Sequence, residues 1–259
     1  MIARERRDST LRSDGPSGRS VPDPDGSEEG SHVSEITPEQ REFIEFMVRA
    51  DVLTFGDFTT KSGRRTPFFI NTGRYRTGAQ LAQLAHYYAQ TIQARLGDGF
   101  DVLFGPAYKG IPLASVVATV LARDFGHDVG YCFNRKEIKD HGEGGALVGQ
   151  PLRDGDRVLI IEDVTTAGTS IRETVPILRA AAEVRLAGLV VSVDRMERGT
   201  GDRTALDEIR ETFDMPTFAI VTIDAIMAHL HNREIAGRVV LDDEIFERMQ
   251  AYRREYGPR

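Results

Sequence analysis

The residue types best suited to chemistry sit together in Val158-Leu159-Ile160-Ile161-Glu162-Asp163-Val164-Thr165-Thr166-Ala167-Gly168-Thr169-Ser170. An aliphatic run reads as a buried strand, two adjacent carboxylates stand at its C-terminal end, and a hydroxyl-rich glycine turn then opens a helix. A helix N-terminus carries roughly half a positive charge and unpaired N–H groups. The hydroxyls of Thr165, Thr166, Thr169 and Ser170 add donors, so the turn suits a phosphate monoester. Glu162 and Asp163 suit what lies beside it, neutral diol hydroxyls or a hydrated Mg²⁺, and the whole describes a ribose 5-phosphate. Read alone, such a turn also fits a plainly capped helix with two solvated acids.

Two further segments share this character. Gly105-Pro106-Ala107-Tyr108-Lys109-Gly110 closes one apolar strand and opens another helix, so its N–H groups and Lys109 can face a second anion, although a Gly-Pro turn can equally be punctuation. It lacks the Gly-Lys-Ser/Thr ending of a nucleotide-binding P-loop. The run Arg135-Lys136-Glu137-Ile138-Lys139-Asp140-His141-Gly142-Glu143-Gly144-Gly145 is too long and glycine-rich for a tidy connector, which points to a mobile lid or, more blandly, a solvated basic face. A lid that brings Lys and His onto a departing pyrophosphate while expelling water would stabilise the transition state electrostatically.

The elements that must position these groups follow from periodicity. Thr37-Pro38-Glu39-Gln40 has the capping-box form and predicts a helix carrying Phe43, Met47 and Ala50. Short strands over Leu53–Phe58 and Thr66–Thr72 flank the basic turn Lys61-Ser62-Gly63-Arg64-Arg65. From residue 77 helical and strand patterns alternate. Strands are predicted over Asp101–Phe104, Val129–Phe133, Arg157–Ile161, Leu186–Val193 and Thr217–Thr222, with helices over Ile111–Arg123, from about Gly168, over Thr204–Thr212, Asp224–Leu230 and Asp242–Tyr256. A polar loop is expected between Asn134 and Gly149. This rhythm predicts an α/β fold with a parallel sheet between two helical layers.

Composition narrows the function classes. The chain has 259 residues, enough for one large domain or two small ones, and its formal charge of -7 argues against bulk electrostatic binding of nucleic acid or anionic lipid. An anionic ligand must therefore be gripped by a local cluster. Cys132 is the sole cysteine, which excludes an internal disulfide framework and reads as a small buried residue rather than a nucleophile. No stretch has the apolar length of a membrane span or a secretory leader, so a cytoplasmic protein with no membrane or nucleic-acid partner is expected. Residues 1–36 are rich in Ser, Gly, Pro and charge and read as a disordered N-terminal tail, leaving 37–259 as the folded domain.

The strand, acid pair and Thr/Gly/Thr turn of residues 158–170 resemble the phosphoribosyl pyrophosphate (PRPP) signature of the type I phosphoribosyltransferases. Five further runs, from Lys61 to Asn71, Phe104 to Pro112, Tyr131 to Glu137, Lys139 to Gly144 and Asp194 to Gly199, resemble the orotate phosphoribosyltransferases in the same order. The resemblance implies the type I fold, a central parallel sheet flanked by helices with a small N-terminal hood drawn mainly from 37–75 and a mobile lid. It implies transfer of a phosphoribosyl group from PRPP to N1 of orotate, with Mg²⁺ held mainly through PRPP and water rather than by a direct protein ligand.

The same resemblance implies residue roles. Lys61, Tyr108, Lys109, Arg135, Lys136, Lys139 and His141 match PRPP contacts, those beyond Arg135 supplied by the neighbouring subunit of a homodimer. Glu162, Asp163, Val164, Thr165, Thr166, Ala167, Gly168, Thr169 and Ser170 match the ribose-phosphate loop. Lys139, Asp163 and His141 are the catalytic candidates, while Phe69, Ile70, Thr166 and Arg195 match orotate contacts. Glu162 and Ile70 stand where many relatives have Asp and some have Phe. Orotate differs from uracil by a carboxylate, which a fixed Arg195 fork could recognise, although a salt bridge with Asp194 or Glu197 is the plainer alternative. A purine-specific relative would keep the ribose-phosphate loop without needing Arg195, and a PRPP-sensing regulator would add a DNA-binding element that the acidic charge does not support.

Overall fold

The computed structural model describes residues 36–60, 63–135, 146–165 and 168–259. The expected tail lies outside these residues up to position 35, as do Lys61, Thr166, Ala167 and the whole expected lid from Lys136 to Gly145. Helix α1 (Pro38–Arg49) starts on the predicted capping box, with the Thr37 hydroxyl accepting from Gln40 N at 3.3 Å and the Gln40 side chain accepting from Thr37 N at 3.1 Å. Strands β1 (Leu53–Thr59) and β2 (Arg65–Ile70) form an antiparallel hairpin. A 3-10 turn over Thr72–Arg74 then leads to α2 (Gly78–Leu96), so the strand expected to reach Thr72 ends two residues early.

The remaining elements are β3 (Val102–Phe104), α3 (Gly110–Phe125), β4 (Gly130–Asn134), β5 (Leu147–Gly149), β6 (Arg157–Ile161), α4 (Thr169–Ala181) and β7 (Arg185–Asp194). After these come α5 (Ala205–Phe213), β8 (Thr217–Thr222), α6 (Ile223–Leu230), the small pair β9 (Glu234–Ile235) and β10 (Arg238–Val239), and α7 (Asp243–Tyr256). The main sheet has the order β5-β4-β3-β6-β7-β8 and is parallel except for β5, which runs antiparallel to β4. This edge strand corrects the reading of Asn134–Gly149 as loop throughout: Cys132 pairs with Gly149, Phe133 with Val148 and Asn134 with Leu147. So short a run gives no alternation to read.

Alternation along the central strands explains why both faces are covered. Leu103, Leu159, Ile161 and Val190 join the core under α2 and α3, whereas Val102, Phe104, Val158, Ile160, Leu189 and Val191 join the one under α4 and α5. Each such side chain contributes roughly 1.5–3 kcal/mol relative to exposure. Cys132 belongs to the second core, and burial pushes its thiol up to about 12, which makes it inert at neutral pH.

The crossovers determine where a ligand can sit. From β3 the chain crosses through α3 to β4 on one side, and from β6 through α4 to β7 on the other, with the two helices on opposite faces. The loops after β3 and β6 therefore diverge and leave a crevice beyond their carboxyl ends, the place where open α/β sheets bind ligands. Both chemistry-bearing loops lie at this point.

Candidate active site

The acid pair is held by a ladder that continues past the end of β6. Glu162 N donates to Val190 O at 3.0 Å, Ser192 N and Oγ both donate to Asp163 O, and Val164 bridges Val193. Tyr88 of α2 donates its hydroxyl to Glu162 O at 2.6 Å. The carboxylates thus project from fixed backbone. The turn that follows is closed by Gly168 N donating to Thr165 Oγ1 at 3.1 Å. Gly168 has φ +69°, a left-handed backbone conformation that favours glycine, and a Cβ there would also displace the end of the Ile209 side chain.

The loop after β3 is as tightly built. A Cβ on Gly105 would run into the Gly110 carbonyl oxygen, and Ala107 N donates to Asn134 Oδ1 at 2.8 Å. Lys109 then stands at the start of α3 with its side chain exposed. Helix N-termini distinguish these two loops from the rest of the fold. Among the described residues, α1, α2, α5, α6 and α7 are capped by the side chains of Thr37, Thr77, Thr204, Thr222 and Asp242. Helices α3 and α4 have no side-chain cap, and the first N–H groups of α4 are available to an anion. In α3 the expectation fails, because Gly110 N and Ile111 N donate to Pro106 O and Tyr108 O and Pro112 has no N–H, so this loop offers an anion chiefly the charge of Lys109.

Between the loops lies a cluster of three groups. Lys109 Nζ donates to Asp163 Oδ2 at 2.8 Å and to Thr72 Oγ1 at 3.3 Å, while the Thr72 hydroxyl donates to Asp163 Oδ2 at 2.5 Å. These groups form one wall of a cavity of about 200 Å³ completed by Tyr75, Leu81, Leu84, Pro112 and Leu113. Thr72 was not among the predicted site residues. Its only sequence signal is a hydroxyl in an Asn-Thr-Gly turn at the end of the hairpin, and its partner is 91 positions away. Glu162 is buried, and loss of hydration pushes its carboxyl up to about 7, a rise that neighbouring Asp163 reinforces and a hydrogen bond with Ser170 opposes.

Arg195 lies at the end of β7, buried, with its guanidinium 4.2 Å above the Phe68 ring of β2. It forms the salt bridge that its neighbourhood suggested, with Glu197 and not Asp194: Nε and Nη2 donate to Glu197 Oε1 at 2.9 and 2.5 Å. Phe69 is 41% exposed and stacks on Phe58, and Ile70 is half-buried. Tyr108 is 66% exposed on the α3 side. Arg135 sits where β4 and β5 part, its N–H donating to Ala146 O at 2.8 Å, so the chain expected as lid springs from a paired hairpin base. The crevice therefore assembles Lys109, Glu162, Asp163, Thr165, Gly168, Thr169 and Ser170. Lys61, Lys136, Lys139, His141, Thr166 and Ala167 lie outside the described residues.

Comparison with known proteins agrees with this geometry. Residues 74–235 match the family described as the phosphoribosyl transferase domain. The chain is 57% identical over 218 residues to orotate phosphoribosyltransferase of Clostridium acetobutylicum, covering 84% of this chain and 97% of that one. It is 58% identical over 218 residues to the enzyme of that name from Lachnoclostridium phytofermentans, again covering 84% and 97%. Among solved structures, the crystal structure of orotate phosphoribosyltransferase from Francisella tularensis superposes with a TM-score of 0.72 at 40% identity, covering 83% of this chain and 99% of that one.

Proposed function

The chain belongs to the phosphoribosyltransferase family and, within it, to the orotate phosphoribosyltransferases; from that premise we propose which of its residues carry the reaction. The reaction joins N1 of orotate to C1 of PRPP, gives orotidine 5'-phosphate and releases pyrophosphate, a step of pyrimidine biosynthesis. The observation that carries the assignment of roles is the uncapped N-terminus of α4 facing the crevice, with Lys109 at the start of α3 bridged to Asp163 beside it. The α4 turn, Thr165 through Ser170 with Val164 beside it, takes the 5-phosphate. Glu162 and Asp163 accept from the ribose hydroxyls. Tyr108, Lys109, Lys61 and Arg135 take the pyrophosphate.

The Lys109–Asp163 bridge lets each charge neutralise the other. PRPP separates them, its diphosphate taking the ammonium and its ribose hydroxyls the carboxylate, while Thr72 keeps Asp163 oriented. C1 passes through an oxocarbenium-like state, so catalysis is positioning and neutralisation of the leaving diphosphate. Phe69, Ile70 and Thr166 hold the orotate ring, and Arg195 takes its carboxylate. Lys136, Lys139 and His141 of one subunit of a homodimer reach the pyrophosphate bound in the other, Lys139 and His141 serving with Asp163 as the catalytic groups.

The donor chemistry fits Mg²⁺. Glu162 and Asp163 are hard oxygen donors of the kind that would hold Mg²⁺ through water, with phosphate oxygens of PRPP completing its shell. When bound, Mg²⁺ supplies charge neutralisation to the diphosphate. Among the described residues no helix is long and apolar enough to cross a membrane, and a cytoplasmic location suits substrates of this kind.

Glu162 gives the site a pH signature. With its carboxyl near 7, Glu162 is neutral below that pH and ionised above it, and the ionised form is the better acceptor for a ribose hydroxyl. The PRPP KM is expected to fall about threefold to fourfold as pH rises from 6 to 8, most of the effect of the ~1 kcal/mol by which a hydrogen bond to a charged acceptor exceeds one to a neutral acceptor. A steady-state KM profile checks this against Glu162→Gln, in which the inflection should be absent; an identical inflection in the variant assigns it to PRPP itself. The assignment as a whole is tested by pyrophosphate release with orotate, uracil and hypoxanthine as acceptors. Orotate as the preferred acceptor supports it, and preference for hypoxanthine overturns it in favour of a purine enzyme.

A further inference from the structure

Glu197 has so far no role, yet its buried carboxylate is the most heavily bonded acidic group in the described part of the fold after Glu208's surface loop is set aside. Oε1 accepts from Arg195 Nε at 2.9 Å, Arg195 Nη2 at 2.5 Å and the Tyr252 hydroxyl at 2.8 Å. Oε2 accepts from Arg64 Nη1 at 3.0 Å. Three donors converge on Oε1 and one on Oε2, so both oxygens of Glu197 are held by the protein. Its partners come from three distant places: the turn between β1 and β2, the end of β7, and the C-terminal helix α7.

A guanidinium offers two bidentate edges, one through Nε and Nη2 and the other through Nη1 and Nη2. Glu197 occupies the first. Among the described residues Nη1 has no hydrogen-bond partner, and the Phe68 ring lies 4.2 Å from the guanidinium carbon. The charges agree with an incoming anion. Arg64 and Arg195 together exceed Glu197 by one positive charge, which a single carboxylate balances.

We infer that Glu197, steadied by Tyr252 and Arg64, is a positioning residue that commits one edge of Arg195 and leaves the other to the acceptor's carboxylate, which makes α7 part of the acceptor site. The inference rests on Arg195 reading the orotate carboxylate. It places a specificity determinant on Tyr252, 55 positions from Glu197 and outside every phosphoribosyltransferase motif of the chain. The Tyr252 ring also packs edge-on against Phe68 at 5.8 Å and lies 4.7 Å from the Tyr256 ring, so removing its hydroxyl alone leaves the packing in place.

The test is steady-state kinetics on the full chain carrying Tyr252→Phe, Glu197→Gln or Arg195→Lys, with PRPP and orotate varied separately. Tyr252→Phe should raise the orotate KM about threefold to fivefold, the effect of one hydroxyl donor lost from a charged acceptor, and Glu197→Gln about tenfold or more, with the PRPP KM within twofold of the parent in both. Thermal unfolding of Tyr252→Phe identifies a variant that merely loosens the fold. If Arg195→Lys raises the orotate KM and Tyr252→Phe leaves it unchanged, the positioning role is overturned while Arg195 keeps its assignment. If Arg195→Lys leaves the orotate KM unchanged, the reading of Arg195 itself fails. A rise in both substrates' KM values in Tyr252→Phe overturns the inference in favour of a structural role for α7.

Discussion

Replacing Lys139 with alanine lowers kcat by about 10² or more, the usual consequence of removing a preorganised positive group from developing anionic charge. Among the described residues Lys109 faces the crevice directly, and its Nζ is 2.8 Å from Asp163 Oδ2, so part of its charge is already matched before a diphosphate arrives. Beside Lys61 and Mg²⁺, the proposed roles draw further positive charge from the run Arg135 to His141. Composition supports lysine in that role. The chain contains 33 basic residues, and its lysines are Lys61, Lys109, Lys136 and Lys139 alone, all in segments assigned to PRPP, with arginine everywhere else. Lysine differs from arginine in being a compact charge that can give up a proton. Lys139→Arg should therefore recover only part of the lost kcat. Rapid-quench measurement of the chemical step, with circular dichroism to show an intact fold, checks the prediction; near-parental turnover in Lys139→Ala removes this residue from the mechanism.

The second large effect is on acceptor choice. Arg195→Lys should lower kcat/KM for orotate by about 10², because a point charge cannot reproduce a bidentate fork and truncating a buried charged contact costs roughly 2–5 kcal/mol. Lysine is the informative replacement, since alanine would leave Glu197 buried with Arg64 and Tyr252 as its remaining partners and endanger the fold. The PRPP KM should stay within twofold, and the ratio of orotate to uracil turnover should fall by the same factor as kcat/KM. Competition between the two acceptors in one reaction measures that ratio directly, and an unchanged ratio assigns the carboxylate to another residue.

Where sequence patterns were strong, they located the elements closely. The strands Arg157–Ile161 and Thr217–Thr222 occur with the predicted bounds, because aliphatic and aromatic runs bordered by polar residues leave little choice of ends. The Thr37 capping box marked the start of α1 for a similarly local reason. Strands β5, β9 and β10 were not legible, since two or three residues carry no period and their pairing depends on neighbours brought in by the fold. The site divides in the same way. Glu162, Asp163 and Lys109 could be read because each stands at the junction of a strand and a helix within one short motif. Thr72 could not, since its importance arises only when the hairpin's exit turn meets β6. For Arg195 the sequence offered two partners, a substrate carboxylate or a neighbouring acid. The structure shows Glu197 on one edge of the guanidinium and, among the described residues, no hydrogen-bond partner on the other.

Orotate consumption is followed through its near-ultraviolet absorbance after the purified full-length chain is mixed with PRPP and Mg²⁺. The predicted result is a loss of absorbance that requires both PRPP and Mg²⁺ and is accompanied by one pyrophosphate per orotate consumed. Undiminished orotate, in a preparation shown by calorimetry to bind PRPP, would contradict it.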